Sequence, residues 1–245
     1  HSSGDTLGFV GAAKHDNGAM DSWFYALGCN LTVMDESVGE PVAAFYDEHT
    51  IQAYEKLVKL YGDNEGAWAL TESGQSHGDT SFTNGNAMMT QAKFSTGSSY
   101  REVNFAFGVL PVPKFDTEQT SYIAIPEVTS SMVTVLSTVE DDRIDMVSAT
   151  LELMSYESYK RVTPAYIDVV LKSKNANSPD DAEMAQTIID SIVYSFGWIF
   201  SSTHMADMGK AFRMINRDMT NYYESRKDKY NEMLETLIDG FAALE

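Results

Sequence analysis

The sequence predicts an α/β protein with a helix-rich C-terminal half. Short apolar strands and amphipathic helices alternate over the first part of the chain, whereas helical periodicity dominates the later part. That order is typical of a sheet layer covered by helices. The first predicted strand is residues 7–13, because a short apolar run with glycines fits a buried strand.

The next predicted elements are a helix and a turn region. Residues 22–27 are predicted to form a short helix, which Asp21 or Ser22 caps and Gly28 stops. Residues 30–41 are polar and acidic, and we expect them to form turns.

The first clearly amphipathic helix covers residues 47–61, where apolar side chains recur at spacings of three and four. Residues 63–78 are predicted to be a loop. The later predictions are strands at 104–113 and 121–126, helices at 140–154 and 180–194, an extended segment at 163–174, and one or two long helices at 206–244. The extended segment is expected because Pro164 disfavours a helix there.

Composition excludes several classes of function. The chain of 245 residues has a formal net charge of -19, which argues against a nucleic-acid partner and against docking on anionic lipid. Cys29 is the only cysteine, so neither an internal disulfide nor a cysteine-rich metal site is expected. The sequence has no apolar run long enough to span a membrane. It begins with His1, and we expect a processed or truncated piece of a longer protein.

One stretch of the sequence resembles a known family. Phe82 and Gly85 lead into a short apolar run at 87–89, and Phe94 follows as a lone aromatic in a Ser/Gly loop. A predicted strand that two prolines stop comes next, at 104–113. This order resembles the extracellular solute-binding proteins of ABC importers, in the sugar- and peptide-binding branch.

A second stretch, residues 162–194, is similar to a segment of the clostridial-type members of that family. The matching positions are Thr163, Pro164, Tyr166, Leu171, Lys172, Lys174, Glu183 and Met184. The aromatic cluster that contains Gly197 and Trp198 follows, as in the family. The two stretches and the C-terminal helices together cover most of the chain.

The resemblance implies a type II periplasmic-binding-protein-like fold with two lobes that close on a ligand. Residues 1–108 and 156–245 would form the C-terminal lobe, and residues 109–155 the hinge strands and part of an N-terminal lobe that is mostly absent. The hinge strands would lie near 107–111 and 121–126. The implied function is binding, without catalysis and without a cofactor.

The resemblance also implies partners and a location. The ligand would be a carbohydrate, with an oligosaccharide preferred because aromatic residues stack on sugar rings. A peptide or another small solute is the alternative within the same fold. The full-length protein would be an extracellular, cell-surface lipoprotein that delivers its ligand to the permease subunits of an ABC transporter in sugar transport.

The candidate ligand-binding residues also come from the resemblance. They are Phe94, Trp198, Trp23, Asn17, Asp21 and Gln91. Aromatic faces would stack on the sugar, and polar side chains would bond its hydroxyl groups. The alternative for the three aromatic residues is packing in the core, and the alternative for the polar residues near 15–21 is a solvated turn.

Two hypotheses from other classes remain open. Residues 74–78 match G-x-S-x-G, so Ser76 could be the nucleophile of a hydrolase; however, neither an apolar strand before it nor a helix directly after it is predicted. An acidic helical module that binds a protein partner would carry a long exposed apolar stripe on its C-terminal helices. The five histidines have no metal-ligand spacing, so no metal site is expected.

Overall fold

The protein is a mixed α/β structure built on a small parallel sheet. The computed structural model describes residues 1, 4–13, 19–70, 78–95, 100, 102–126, 133–171, 179–200 and 218–243. In chain order the elements are β1 Leu7–Ala12, α1 Ala19–Ala26, β2 Thr32–Asp35, β3 Glu40–Ala43, α2 Glu48–Tyr61, β4 Ala67–Leu70, α3 Gly78–Thr83, β5 Ala87–Thr90, α4 Asp141–Glu157, a π-helical turn Ser158–Val162, α5 Thr163–Leu171, α6 Pro179–Asp190, α7 Phe196–Ile199, α8 Met219–Glu224 and α9 Lys227–Ala242.

Strand β1 is the centre of a three-stranded sheet of order β4-β1-β5, with both pairs parallel. Val10 stands opposite Trp68 on one side and Thr90 on the other. The predicted strand at 7–13 is therefore confirmed. The predicted loop at 63–78 is wrong in part, because the short apolar run of β4 pairs with β1 inside it.

Helices α1 and α2 pack on β1 through aromatic rings. The Phe9 ring meets Trp23 edge-on at 6.3 Å and Tyr61 at 5.4 Å between centroids. The predicted helix at 22–27 is confirmed, although α1 begins three residues earlier, at Ala19. Gly28 follows it with a φ of 81°, a left-handed conformation that glycine adopts at little cost.

Helix α2 confirms the amphipathic pattern predicted at 47–61. Asp47 caps it, since its carboxylate accepts a hydrogen bond of 2.7 Å from the backbone N–H of Thr50. The side chains of Tyr54, Leu57 and Tyr61 are buried on one face. The cap and the apolar face thus act together to fix where the helix begins and how it is oriented.

The turn region predicted at 30–41 is wrong, because it contains most of a β-hairpin. Strands β2 and β3 pair antiparallel, from Thr32 opposite Ala43 to Asp35 opposite Glu40. Gly39 supplies a φ of 76° in the connection. The Asp35 carboxylate accepts hydrogen bonds from the backbone N–H and the hydroxyl of Ser37, so the acidic residues stabilise the turn of the hairpin.

One aromatic-rich core joins α1, α2 and the C-terminal helices. Its buried members are Ala13, Met20, Trp23, Phe24, Tyr25, Leu27, Cys29, Leu31, Phe45, Ala53, Tyr54, Leu57, Tyr61, Trp198, Met219, Tyr222 and Tyr230. Helix α7 packs on this core at Gly197, whose backbone N–H donates a hydrogen bond of 3.1 Å to the Thr32 hydroxyl. The core therefore ties the last third of the chain to its first sixty residues.

The two strands predicted at 104–113 and 121–126 are not formed. The backbone N–H of Val109 donates to the Asp181 carboxylate at 3.2 Å instead of to a neighbouring strand. Two prolines at 111 and 113 have no N–H to donate. Residues 121–126 form only a single parallel bridge, between Ala124 and Ile192.

The extended segment predicted at 163–174 is also wrong, because α5 is helical from Thr163 to Leu171. Helix α4 confirms the prediction at 140–154 and runs into α5 through the π-helical turn, in which the N–H of Thr163 bonds to Ser158. A π turn widens the helix, and this accommodates the missing N–H of Pro164 in the following turn.

The C-terminal helices are packed where they are described. Helix α6 covers Pro179–Asp190, so the helix predicted at 180–194 is confirmed as far as Asp190. Helices α8 and α9 lie in the region predicted to be helical at 206–244, of which residues 206–217 are outside the described part. Tyr222, Tyr230 and Leu234 are buried, so this part lacks the long exposed stripe expected of a partner-binding module.

The chain forms two compact units. One contains residues 1–92, 110–128 and 186–245, and the other contains residues 93–109 and 129–185. The first unit holds the sheet and the aromatic core. The second holds α4, the π-helical turn and α5. The lobe boundaries expected from the family resemblance, at 108 and 155, stay a prediction.

Candidate functional site

The carboxyl edge of the sheet is the candidate site, and three parallel strands define it. Strands β4, β1 and β5 run in one direction, so Leu70, Ala12 and Thr90 end at the same edge. The segments that follow β1 and β4, residues 14–18 and 71–77, are outside the described part of the chain. Helix α1 begins at Ala19 and Gln91 follows β5, and both belong to this edge.

The topology favours this edge as a binding site. Strands β4 and β5 flank β1 on opposite sides, and the connection from β4 to β5 passes through α3. Parallel crossovers are right-handed in about 98% of cases, which puts the β1–β4 and β4–β5 connections on opposite faces of the sheet. Ligands of open α/β sheets bind at the carboxyl edge where the connections diverge in this way.

Gln91 links β5 to the start of α1. Its Nε2 donates a hydrogen bond of 3.0 Å to the backbone carbonyl of Ala19. Its Oε1 is buried and has no hydrogen-bond partner among the described residues. A buried acceptor left without a donor costs about 1–3 kcal/mol, so this oxygen is a place where a ligand donor would be stabilising.

Trp23 lies in the core beside this edge. Its side chain is 8% exposed. Its indole N–H donates to the Tyr61 hydroxyl at 3.1 Å, and its ring packs edge-on against Phe9. The polar end of the indole is therefore already bonded inside the protein. The prediction that Trp23 contacts ligand stays a prediction.

Tyr61 belongs to the same cluster, and the sequence pattern marks it only as part of the apolar stripe of α2. Burial raises the pKa of its phenol above the ordinary value, and the hydrogen bond from Trp23 partly offsets this rise. An added Cβ at Gly11 would lie 2.7 Å from the Tyr61 hydroxyl oxygen. Phe9 and Gly11 lie on the same face of β1, and the missing side chain of Gly11 leaves room for the Tyr61 hydroxyl. The glycine two residues after Phe9 is the sequence signal for this room.

Asp21 is buried in the first turn of α1, with its side chain 1% exposed. A carboxylate is favourable there because the positive end of the helix dipole lies at the N-terminus. Its charge also contributes to the high pKa of Tyr25, which is raised chiefly by burial and lowered in part by the hydrogen bond to Ser195. Asp21 therefore lies within the fold rather than on a solvated turn.

Trp198 is buried at a different place around α1. Its indole N–H donates to the carbonyl of Pro126 at 3.2 Å, and its ring meets Tyr25 edge-on at 5.9 Å. Residues 23 and 25 of one helix point in nearly opposite directions. The structure therefore does not bring Trp198 and Trp23 together. The role of Trp198 in ligand contact stays a prediction.

The remaining candidates lie elsewhere. Phe94 is half-buried in a short helical turn that belongs to the second compact unit. Asn17, like the rest of the loop at 14–18, is outside the described residues. The same is true of Ser76, on which the hydrolase hypothesis depends. Ligand contact by Phe94 and Asn17, and catalysis by Ser76, thus stay hypotheses.

The described residues hold no group of three or more His, Cys, Asp or Glu side chains that could bind a metal ion. Within the same residues, no helix is long and apolar enough to cross a membrane. The described residues of the carboxyl edge offer hydrogen bonding by the Gln91 amide and contact with aromatic surface.

No family model, curated protein or solved structure matches the chain.

Proposed function

We propose that the chain is part of an extracellular solute-binding protein of an ABC importer and that it binds a carbohydrate at the carboxyl edge of its sheet. The two stretches that resemble this family support the proposal, at 82–114 and 162–194. The observed α/β layer with a parallel sheet is compatible with the implied type II periplasmic-binding-protein-like fold. In this proposal the protein binds and releases its solute and performs no chemistry on it.

The observation that carries the proposal is the Oε1 of Gln91, which is buried and has no hydrogen-bond partner among the described residues. The amide is already oriented, because its Nε2 is bonded to the carbonyl of Ala19. A sugar hydroxyl can donate a hydrogen bond to such an oxygen and can also accept one from another group. Binding would therefore replace a missing hydrogen bond, which gives a polar solute an advantage over an apolar one.

Aromatic surface is the second requirement of a sugar site, and the family resemblance implies Phe94 as one source of it. Its ring is only half-buried, and the apolar face of a sugar stacks on such a ring. The indoles of Trp23 and Trp198 have their N–H groups bonded within the protein. A solute would therefore meet ring surface on these two residues and no free indole donor.

The transport role belongs to the same proposal. Closure of two lobes on the solute would convert the protein into the form that docks on the permease subunits, as in other hinge-closing binding proteins. A cell-surface location as a lipoprotein and the implied lobes at 1–108, 156–245 and 109–155 rest on the family resemblance alone.

A titration of intrinsic fluorescence tests the proposal, because the chain has three tryptophans. The 245-residue chain is titrated with malto-, cello-, xylo- and arabino-oligosaccharides and with a set of tri- to hexapeptides. We expect a saturable change with at least one oligosaccharide. Responses to peptides alone would move the ligand to the peptide-binding branch, and no saturable response with any solute would contradict the proposal.

Two variants locate the site. Gln91→Ala removes the proposed acceptor and is expected to weaken oligosaccharide binding by roughly tenfold or more, the effect of losing one buried hydrogen bond. Gln52→Ala is the matched control, because Gln52 is exposed on α2 and its amide bonds to the Glu48 side chain, far from the carboxyl edge in sequence. Equal weakening by both variants would mean that the loss is not specific to the carboxyl edge.

A further inference from the structure

None of the side chains of helix α4 is buried, and the same holds for the π-helical turn that follows it. Helix α4 nevertheless carries many large apolar residues, of which Met146 is 57% exposed, Leu153 is 59% and Tyr156 is 49%. A helix with this much apolar surface is normally covered. The uncovered surface is therefore a candidate interface.

Six exposed positions of this helix and its π-helical turn form one stripe, which we name the α4 stripe. They are Asp142, Met146, Ala149, Leu153, Tyr156 and Lys160. After the first step of four, the spacings alternate between three and four, as in the contact seam of a coiled coil. The stripe is about 27 Å long at 1.5 Å per residue. The Lys160 Nζ lies 4.5 Å from the centre of the Tyr156 ring, which confirms that the end of the stripe is continuous.

The α4 stripe is complementary to itself when it is reversed. If two copies of α4 pair antiparallel about a two-fold axis at the level of residue 151, Asp142 stands opposite the partner's Lys160. Met146 then stands opposite the partner's Tyr156, which joins a thioether to an aromatic ring. In the same register Ala149 stands opposite the partner's Leu153, so that a small residue faces a large one. Charge, size and polarity therefore match at these three layers.

We infer that the α4 stripe is a homodimer interface, in which α4 of one protomer packs antiparallel on α4 of its partner. The contact is isologous, as two-fold symmetry requires, because each stripe supplies both the acidic end and the basic end. The inference does not depend on solute binding, since it rests on α4 alone.

Complementary charge within the α4 stripe is the main reason to choose a second copy as the occupant, because it offsets the general repulsion between two acidic chains. With a net charge of -19, two copies of this chain repel each other over most of their surface. In the reversed register each protomer contributes one Asp142–Lys160 pair. On one flank Arg143 also stands near the partner's Glu157, which already pairs with Arg161 of its own chain at 2.6 Å. This register thus places opposite charges together at both ends of the contact.

One like-charge contact remains in this register, and it gives a separate prediction. Glu152 lies on the other flank, close to the two-fold axis, so the two copies of Glu152 face each other. We expect Glu152→Gln to strengthen dimerisation about two- to threefold, because it removes this repulsion. An unchanged or weaker dimer in this variant would contradict the proposed register.

The interface is small. Three large apolar side chains per protomer place it at or below the low end of the size range for specific complexes, where total buried area is under about 1,200 Å². We therefore expect a dimer with a dissociation constant in the micromolar range rather than in the nanomolar range.

Sedimentation velocity over about 5–500 μM protein tests the inference. We expect a reversible shift from one chain to two with rising concentration. Leu153→Glu is expected to weaken the dimer by at least about 100-fold, because it puts a charge in the apolar centre of the contact. Ile144→Glu is the control, because Ile144 is 38% exposed and lies nine residues before Leu153, on the opposite side of α4; it should leave dimerisation unchanged.

Charge reversal tests the direction of pairing. Asp142→Lys and Lys160→Asp are each expected to weaken the dimer about fivefold or more, and the double variant should restore it because each pair is remade with its signs exchanged. Circular dichroism confirms that each variant is folded. A chain that stays monomeric over the whole range, or a dimer that Leu153→Glu does not weaken, would overturn the inference.

A disulfide test separates antiparallel from parallel pairing. The double variant Ala149→Cys with Leu153→Cys should form an intermolecular disulfide on mild oxidation, whereas Ala149→Cys alone should not. Cys29 is buried and should not interfere. Efficient cross-linking of the single Ala149→Cys variant would indicate a parallel dimer and would contradict the proposed geometry.

Discussion

The indole N–H of Trp23 donates a hydrogen bond of 3.1 Å to the hydroxyl of Tyr61, across 38 residues of sequence. It joins the second turn of α1 to the last residue of α2, directly over the Phe9 ring of the central strand. Both side chains are buried. The bond therefore fixes two helices at the sheet whose carboxyl edge is the proposed binding site.

Removal of the Tyr61 hydroxyl tests the strength of this link. Tyr61→Phe leaves the buried Trp23 N–H without its acceptor, so we expect a loss of about 1–3 kcal/mol in the free energy of unfolding. Urea denaturation followed by tryptophan fluorescence measures it. Tyr159→Phe is the control, because Tyr159 is 75% exposed and should change stability by less than about 0.5 kcal/mol. Similar losses in both variants would argue against the hydrogen bond.

Cys29 predicts how stability depends on alkaline pH. Burial raises the pKa of its thiol from 9.0 to about 12, with a smaller opposing effect of the hydrogen bond to Thr50. Because the thiol ionises more easily in the unfolded chain, its contribution is complete below pH 9.0 and is lost as pH rises from there to about 12.

A comparison with Cys29→Ala isolates this effect. Between pH 8 and 10 the wild-type chain should lose about 1.4 kcal/mol more than the variant in the free energy of unfolding. Urea denaturation at fixed temperature across this range gives the two curves. If the free energy of unfolding changes with pH in the same way for both proteins, folding does not raise the pKa of the Cys29 thiol. Tyrosines, with an ordinary pKa of 10.0, also ionise in the upper part of this range, but they affect both proteins equally.

Two glycines in helices are expected to respond oppositely to alanine. A Cβ at Gly197 would lie 2.8 Å from the Leu31 Cβ and 3.1 Å from the Thr32 hydroxyl oxygen, so Gly197→Ala should destabilise the fold by about 1–3 kcal/mol. A Cβ at Gly240 meets nothing within 4 Å, so Gly240→Ala should stabilise α9 by about 0.5–1 kcal/mol. Thermal denaturation ranks the two variants, and the same sign for both would contradict this packing.

Two acidic residues that precede helices form another matched pair. Asp47→Ala removes the carboxylate that caps α2 and should cost about 1 kcal/mol. Glu140 precedes α4 without a side-chain cap hydrogen bond, so Glu140→Ala should have little effect. Chemical denaturation of the two variants in parallel checks the difference. If both variants lose the same free energy of unfolding, the loss comes from removing a negative charge near a helix N-terminus and not from the cap hydrogen bond.

The sequence predicts a local element well where the local signals agree. The helix beginning after Asp47 is found because a cap and an apolar face agree. The strand predicted at 104–113 fails because the Val109 N–H bonds to Asp181, which lies 72 residues further along the chain. The helix after Pro164 is missed because a π-helical turn accommodates the proline. Neither long-range pairing nor such a turn is visible in local residue patterns.

The candidate site could be predicted only in part. Residue type and resemblance select Gln91, which follows β5 at the carboxyl edge, and Trp23, which packs on Phe9 of β1. They do not show that the Trp23 indole is already bonded to Tyr61, or that Gln91 bonds to Ala19 through its amide nitrogen. Nor do they reveal that Trp198 packs against Tyr25, on another side of α1. These facts depend on packing between distant segments.

Isothermal titration calorimetry of the wild-type chain and of Gln91→Ala, with the oligosaccharide that gives the strongest fluorescence response, is the most direct test of the central claim. The account predicts saturable binding to the wild-type chain, with an affinity that falls roughly tenfold or more in Gln91→Ala and is unchanged in Gln52→Ala. No binding of any oligosaccharide to the wild-type chain, or equal affinities for wild type and Gln91→Ala, would contradict a carbohydrate site at the carboxyl edge.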